Sequence, residues 1–265
     1  MLTADDNYRL PVFSIPNKMK LKILFLSALT ILIATTSMAQ DLADEVDLFM
    51  GVHGNSNCVI GPQLPHGSVN PSPDTPKGGQ NGYDENDKIR GFSQLHVSGI
   101  GWSRYGQILL SPQNGFSAKE TGHDSPKANE IAKPYCYAAT LTRYGIRTEL
   151  SPTHHGVFYR FTFNKPNNNN ILLDLRHNIP QDIVPIVKGT FNGGEINYNE
   201  KQRLISGYGI YAGGFGSKQP YRVYFAMKID DPDATVTITN NDTKALYAKI
   251  GVKAKTVNAS IAISM

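Results

Sequence analysis

Between Tyr221 and Asp230 apolar and polar residues take turns: Tyr221, Val223, Phe225, Met227 and Ile229 share one side of an extended chain, with Arg222, Lys228 and Asp230 on the other. Successive side chains of a strand point to opposite faces, so this order commits the segment to a β-strand with one buried face. The same reading applies to Val157–Phe163, to Ile171–Leu175, to Val236 and Ile238 in a threonine-rich stretch, and to the apolar run Val257–Met265. Between these runs lie turn residues: Lys165-Pro166 followed by four asparagines, Asn192-Gly193-Gly194, Asp230-Asp231-Pro232-Asp233 and Asn240-Asn241-Asp242. Asn and Gly tolerate positive φ and Pro lacks an amide donor, so each of these is expected to reverse the chain. No segment after residue 40 keeps a helical period for more than two turns. Many short strands separated by turns predict an all-β sandwich.

The amino-terminal end reads differently. Lys18, Lys20 and Lys22 precede an apolar run from Ile23 to Ala34, and Ser37-Met38-Ala39 places small residues at the positions a signal peptidase reads. Residues 1–39 are therefore expected to be a leader and signal peptide cleaved after Ala39. The product would be secreted across the inner membrane to the periplasm or the cell exterior. The apolar run is short for a bilayer span, so the mature chain is not expected to be transmembrane. Residues 40–265 are long enough for one large sandwich with its own core. The net charge of +4 falls to +2 once the four basic and two acidic leader residues are removed. With no basic tract, a nucleic-acid partner is unsupported. Cys58 and Cys136 would reach an oxidising compartment where a bridge persists, but spacing leaves open whether they pair or are two small buried residues.

From Val52 to Gly115 the chain is dense in Gly, Pro, Ser, Asn and His, with little alternation. Its embedded Leu64, Tyr83, Phe92, Leu95, Trp102 and Tyr105 argue against disorder, so long ordered loops at one edge of the sandwich are expected. The run Val257–Met265 ends while still apolar, which reads as a domain cut from what should follow it.

Several segments occur in the order of one known family. They are Val46-Asp47-Leu48-Phe49-Met50-Gly51, Gly61-Pro62-Gln63-Leu64-Pro65-His66-Gly67, Ser72-Pro73-Asp74-Thr75, Gly91 to Gly101, and Tyr105-Gly106-Gln107-Ile108. Tyr159 to Phe163, Ile171 to Leu175 and Ile205 to Tyr208 follow. Together they resemble the amino-terminal domain of glycoside hydrolase family 92, the calcium-dependent α-mannosidases. The resemblance implies a β-sandwich of the galactose-mutarotase-like supersandwich type, packed in the family against a carboxy-terminal (α/α)6 barrel. It also implies inverting hydrolysis of α-mannosides, with an acid and a base far enough apart to hold a water between them. Those carboxylates and the calcium ligands belong to the barrel, so no catalytic residue, metal ligand or cofactor is assigned in this chain. A family loop that reads Cys-Gly-Asp-Tyr-Gly-Asp is here Trp102-Ser103-Arg104-Tyr105-Gly106-Gln107, exchanging two acids for Arg104 and Gln107.

The candidate substrate-binding residues are His53, His96, Ser98, Gly99, Gly101, Trp102 and Arg104. Trp102, between Gly101 and Ser103, offers an indole on which a hexose can stack, or else anchors the loop as a core aromatic. Arg104 suits hydroxyls or an acidic substituent, with a solvated or ion-paired arginine as the alternative. His53, His66 and His96 each suit a sugar hydroxyl or a structural hydrogen bond, and their spacing fits no compact metal motif. His154 and His155 are adjacent, and in a strand would face opposite ways. Asp84, Glu85 and Asp87 lack the spacing of a calcium loop and read as a solvated turn. The functional expectation is the sandwich half of an α-mannosidase-type, glycan-degrading hydrolase, inactive alone, with a mannose-containing glycan and the barrel as partners. The alternative is a stand-alone periplasmic carbohydrate-binding module.

Overall fold

The computed structural model describes residues 42–53, 58–78, 81–99, 105–179, 189–213, 219–241 and 245–265. The predicted leader at 1–39 lies outside them. From Val46 to Met265 the chain forms one unit built of two antiparallel sheets. The first has six strands in the order β1 (Ser72–Asp74), β2 (Gly91–Ser93), β3 (Leu109–Asn114), β8 (Asn169–Asp174), β13 (Ala245–Val252) and β12 (Thr235–Asn241). The second has eight, in the order β4 (Lys127–Lys133), β5 (Cys136–Leu141), β6 (Ile146–Pro152), β7 (Gly156–Phe163), β14 (Thr256–Ser264), β11 (Tyr221–Ile229), β10 (Leu204–Ala212) and β9 (Thr190–Asn199). The helical segments named among these elements are two single 3₁₀ turns, Leu48–Gly51 and Glu120–Gly122. No described helix is long and apolar enough to cross a membrane.

The predicted alternation becomes the core. Val223, Phe225 and Met227 of β11 are buried, as are Val257, Ala259, Ile261 and Ile263 of β14. Across the sandwich, the Phe92 ring of β2 lies 6.2 Å from Tyr137 of β5 and 6.5 Å from Tyr159 of β7. Each such aromatic removes a large apolar area from water, the main favourable contribution to folding. β14 sits between β7 and β11, in register with both: Ala259 pairs with Tyr159 on one side and Ile229 on the other.

Two expectations fail for identifiable reasons. Asn192-Gly193-Gly194 does not reverse the chain but lies inside β9. The β9–β10 ladder shifts register between Gly209 and Tyr211, Gly193 has φ +118°, and a Cβ on Gly194 would stand 2.2 Å from the Tyr208 carbonyl oxygen. These glycines serve a bulge and a close backbone approach, the other use of glycine in a strand. His154 and His155 are not in a strand: they form the exposed bend joining β6 to β7, where Ser68 Oγ meets His155 Nδ1 at 3.0 Å. The described residues of the Val52–Gly115 stretch are not only loops: they contain β1, β2 and all of β3. All three residues of β1 and of β2 are buried, so no polar face was present to produce alternation. Cys58 and Cys136 form no disulfide, and Cys58 is exposed.

Candidate functional site

The 52–125 region is held by buried charge. Asp74, the last residue of β1, is wholly buried and accepts from two imidazoles: His96 Nε2 at 2.7 Å to Oδ1 and His177 Nε2 at 3.0 Å to Oδ2. His96 Nδ1 meanwhile donates to the Asn70 carbonyl at 2.8 Å. On its other side, His177 Nδ1 stands 3.5 Å from Glu120 Oε1, an ion-pair distance too long for a good hydrogen bond. Glu120 is 3.0 Å from Arg90 Nη1, and Arg90 Nε donates to Asp124 Oδ1 at 2.9 Å. The result is a line of charged or chargeable groups, Asp124, Arg90, Glu120, His177, Asp74 and His96, contributed by segments far apart in the chain.

Burial alone would push the Asp74 carboxyl up, but the charges and hydrogen bonds of His96 and His177 outweigh it and hold the group well below the usual carboxylate range. Burial pushes His177 down, yet its contacts with Asp74 and Glu120 prevail and raise it to about 9. His177 and Arg90 together draw Glu120 down to about 2 against its own partial burial. His123, buried beside this line with a hydrogen bond to the Arg90 carbonyl, is pushed down by desolvation.

These contacts anchor the ends of two loops. His96 opens the segment leading to Trp102, and His177 leads into the segment after Ile179. The two segments also meet: Ile179 N donates to Tyr105 O at 3.0 Å, and Gln107 Nε2 lies 3.5 Å from Asn178 Oδ1 and donates to the Tyr221 hydroxyl of β11 at 3.1 Å. Gly106 has φ +80°, and a Cβ there would stand 2.4 Å from Ile179 Cγ1, so only glycine lets the segments meet. Tyr105 and Ile108 also have positive φ, 69° and 60°, which is costly for a β-branched residue such as Ile108. Strain is thus concentrated in residues 105–108, immediately before β3. Tyr105, Tyr221 and Tyr211 add edge and tilted ring contacts beneath it.

The predicted site residues separate on this frame. Gly101, Trp102 and Arg104 lie outside the described residues. Ser98 and Gly99 are exposed; Ser98 Oγ accepts from Val59 N at 3.4 Å, and among the described residues nothing lies within 4 Å of a Cβ placed on Gly99. His53 is exposed and paired with Glu85 across Nδ1 and Oε2. His96 is 2% exposed, with both ring nitrogens engaged inside the protein, so its observed part is to hold Asp74 and the loop base. The acidic turn is satisfied locally: Asp84 accepts from Asn86 N, and Asp87 from Lys77 N and Lys88 N. Among the described residues no group of three His, Cys, Asp or Glu side chains is arranged to hold a metal ion. Asp74, His177, Glu120, Arg90 and Asp124 were assigned no role from sequence, since no spacing links them. A charged Asp174-Leu175-Arg176-His177 directly after an apolar run was the available signal.

The family described as the glycosyl hydrolase family 92 N-terminal domain matches residues 45–263, nearly all of the described chain. The chain belongs to that family. Its fold is that of solved family GH92 enzymes. The α-mannosidase from Bacteroides thetaiotaomicron in complex with mannoimidazole superposes with a TM-score of 0.72 at 24% identity, over 84% of this chain and 32% of that one. A GH92 inverting mannosidase from the same species gives 0.60 at 22% identity, over 80% and 29%. The chain therefore spans about a third of the length of the enzymes it matches. No match is found among curated proteins.

Proposed function

We propose that this family 92 domain forms one wall of the substrate cleft of an exported α-mannosidase-type glycoside hydrolase. Its 97–107 and 177–189 segments would border the sugar, and a (α/α)6 barrel would supply the acid, the base and the calcium. The observation that carries this reading is the buried line of charges that fixes the bases of both loops, in a domain matched over residues 45–263 to glycosidases. Preorganised loop bases lower the entropy lost when a substrate is positioned. Within that cleft Trp102 would stack on the sugar, Ser98 and the Gly99–Gly101 backbone would approach it closely, and Arg104 would select the leaving group. His53, exposed, would sit at the outer rim.

The test is an assay on aryl α-mannosides and mannobiose, with calcium, of this chain alone and mixed with a separately expressed family 92 barrel. No hydrolysis alone and calcium-dependent hydrolysis in the mixture are expected, with Trp102→Ala lowering the latter. Turnover by the isolated chain would sink the reading. Saturable quenching of Trp102 fluorescence by mannose oligosaccharides in the isolated chain would favour the stand-alone binding module instead.

A further inference from the structure

A recess of about 370 Å³ opens on the outer face of the six-stranded sheet. Leu109 and Asp174, cross-strand partners in β3 and β8, form its floor. They point away from the core to which their neighbours Leu110 and Leu173 belong. Segment 116–123 crosses over this face, pinned by Gln113, which donates to Ser117 O at 3.1 Å and accepts from Ser117 N at 2.8 Å. The remaining wall is Ala118, Lys119, Glu120, His123, Arg176 and His177.

Two of these side chains have unused hydrogen-bonding capacity deep in the protein. His123 is 1% exposed; its Nδ1 donates to the Arg90 carbonyl at 2.8 Å, which leaves Nε2 as a bare acceptor with no partner among the described residues. His177 is 4% exposed, and its Nδ1 likewise lacks a full hydrogen bond, Glu120 standing 3.5 Å away. A buried polar atom without a partner costs free energy, so such atoms in a cavity wall mark where a ligand or ordered water belongs.

We propose that this recess binds a small, uncharged, hydroxyl-rich ligand the size of a single sugar ring. The wall alternates donors and acceptors. Lys119 and His177 Nδ1 donate, whereas His123 Nε2 and Glu120 accept, and Arg176 and Asp174 answer each other at 2.6 Å. An anion would meet Glu120, Asp174 and the His123 lone pair, and a cation would meet Lys119, Arg176 and His177. A hydroxyl both donates and accepts, and so satisfies neighbours of either kind. The volume sits at the small end of the roughly 300–1,000 Å³ typical of small-molecule pockets. The recess shares His177 and Glu120 with the line of charges on which the cleft-wall reading rests, and the Trp102→Ala arm of the test separates the two.

The test is titration of the ¹⁵N-labelled chain with D-mannose, glycerol, potassium phosphate and calcium chloride, following the ring nitrogens of His123 and His177. Mannose and glycerol are expected to move His123 Nε2 saturably, phosphate and calcium not. His123→Asn keeps a donor for the Arg90 carbonyl but removes the Nε2 acceptor, and is expected to weaken mannose binding roughly fivefold or more. Glu120→Ala, at a half-exposed position, is expected to weaken it similarly, and Trp102→Ala not at all. A His123 signal unmoved by about 0.1 M mannose, too weak to count as a site, overturns the proposal. So does a response to phosphate or calcium instead, or mannose binding indifferent to Glu120→Ala.

Discussion

In the strands from Cys136 to Ser264 order comes mainly from apolar side chains packed in alternation, whereas from Val52 to Ser125 an apolar core that includes Ile60, Phe92 and Leu110 is joined by charged side chains buried against one another. The first region buries Phe161, Phe163, Val223 and Met227 in alternation with exposed residues. The second buries Asp74, His96 and Arg90, with His177 brought to Asp74 from the end of β8. Apolar packing tolerates small shifts, but a buried carboxylate between two imidazoles is stable in only one arrangement, because losing one partner leaves a charge in low dielectric. The contrast suits a molecule whose strands must be stable and whose loop bases must be placed.

The largest effects should come from breaking each region by its own logic. Phe161→Ala, which also removes a ring stacked 5.5 Å from Tyr159, is expected to cost about 3–5 kcal/mol in urea unfolding, at every pH. Asp74→Asn is expected to cost a comparable amount, about 3–5 kcal/mol, but only near neutrality, because in acid the wild-type carboxyl itself takes up a proton and in alkali His177 loses its own. That difference is the sharper test. His177 is raised from 6.5 to about 9, so its contribution is complete below pH 6.5 and is lost as pH rises through 9. Between those values His123, pushed down by burial, is already neutral, and the facing Asp74, Glu120 and Arg90 keep their charges. Wild-type stability should therefore fall by on the order of 3 kcal/mol over this window, and the Asp74→Asn profile should be nearly flat. A wild-type profile that is itself flat would contradict the His177–Asp74 ion pair.

Gly106→Ala tests the seam between the two loops. Its positive φ and the contact with Ile179 predict a loss of about 1–2 kcal/mol, read as a lower urea midpoint. At the small end is Arg222→Ala, on the exposed face of the eight-stranded sheet, where the guanidinium lies 5.0 Å from the Tyr208 ring centre. It should shift the urea midpoint very little. A larger loss there would mean that the outer face of the sheet is held by more than backbone ladders.

How much of this was readable beforehand follows the same division. β7, β8, β11, β12 and β14 were legible as alternation or apolar runs, and the Asp230–Asp233 turn as turn chemistry; there Asp231 accepts from Lys253 N at 2.7 Å and Ala254 N at 3.1 Å. β1 and β2 were not, because three-residue strands buried on both faces carry no period. Gly193 and Gly194 misled because a bulge and a turn use the same residues. In the candidate site, Ser98 and Gly99 are exposed, whereas His96 is buried. Asp74 could be quoted in Ser72-Pro73-Asp74-Thr75 but not given a role, since its partners are 22 and 103 residues away and their meeting is a property of the fold.

The position of β14 between β7 and β11 has a bearing on biosynthesis. Strands β4 to β7 can zip into a hairpin array as they leave the ribosome, and β9 to β11 can form another, but each then presents a naked edge to the surroundings. The segment that seals both is translated after all of them, so the nascent protein passes through a stage with two adhesive borders at once. A holding factor that shields those borders until residues 256–264 arrive would protect it from sticking to its neighbours.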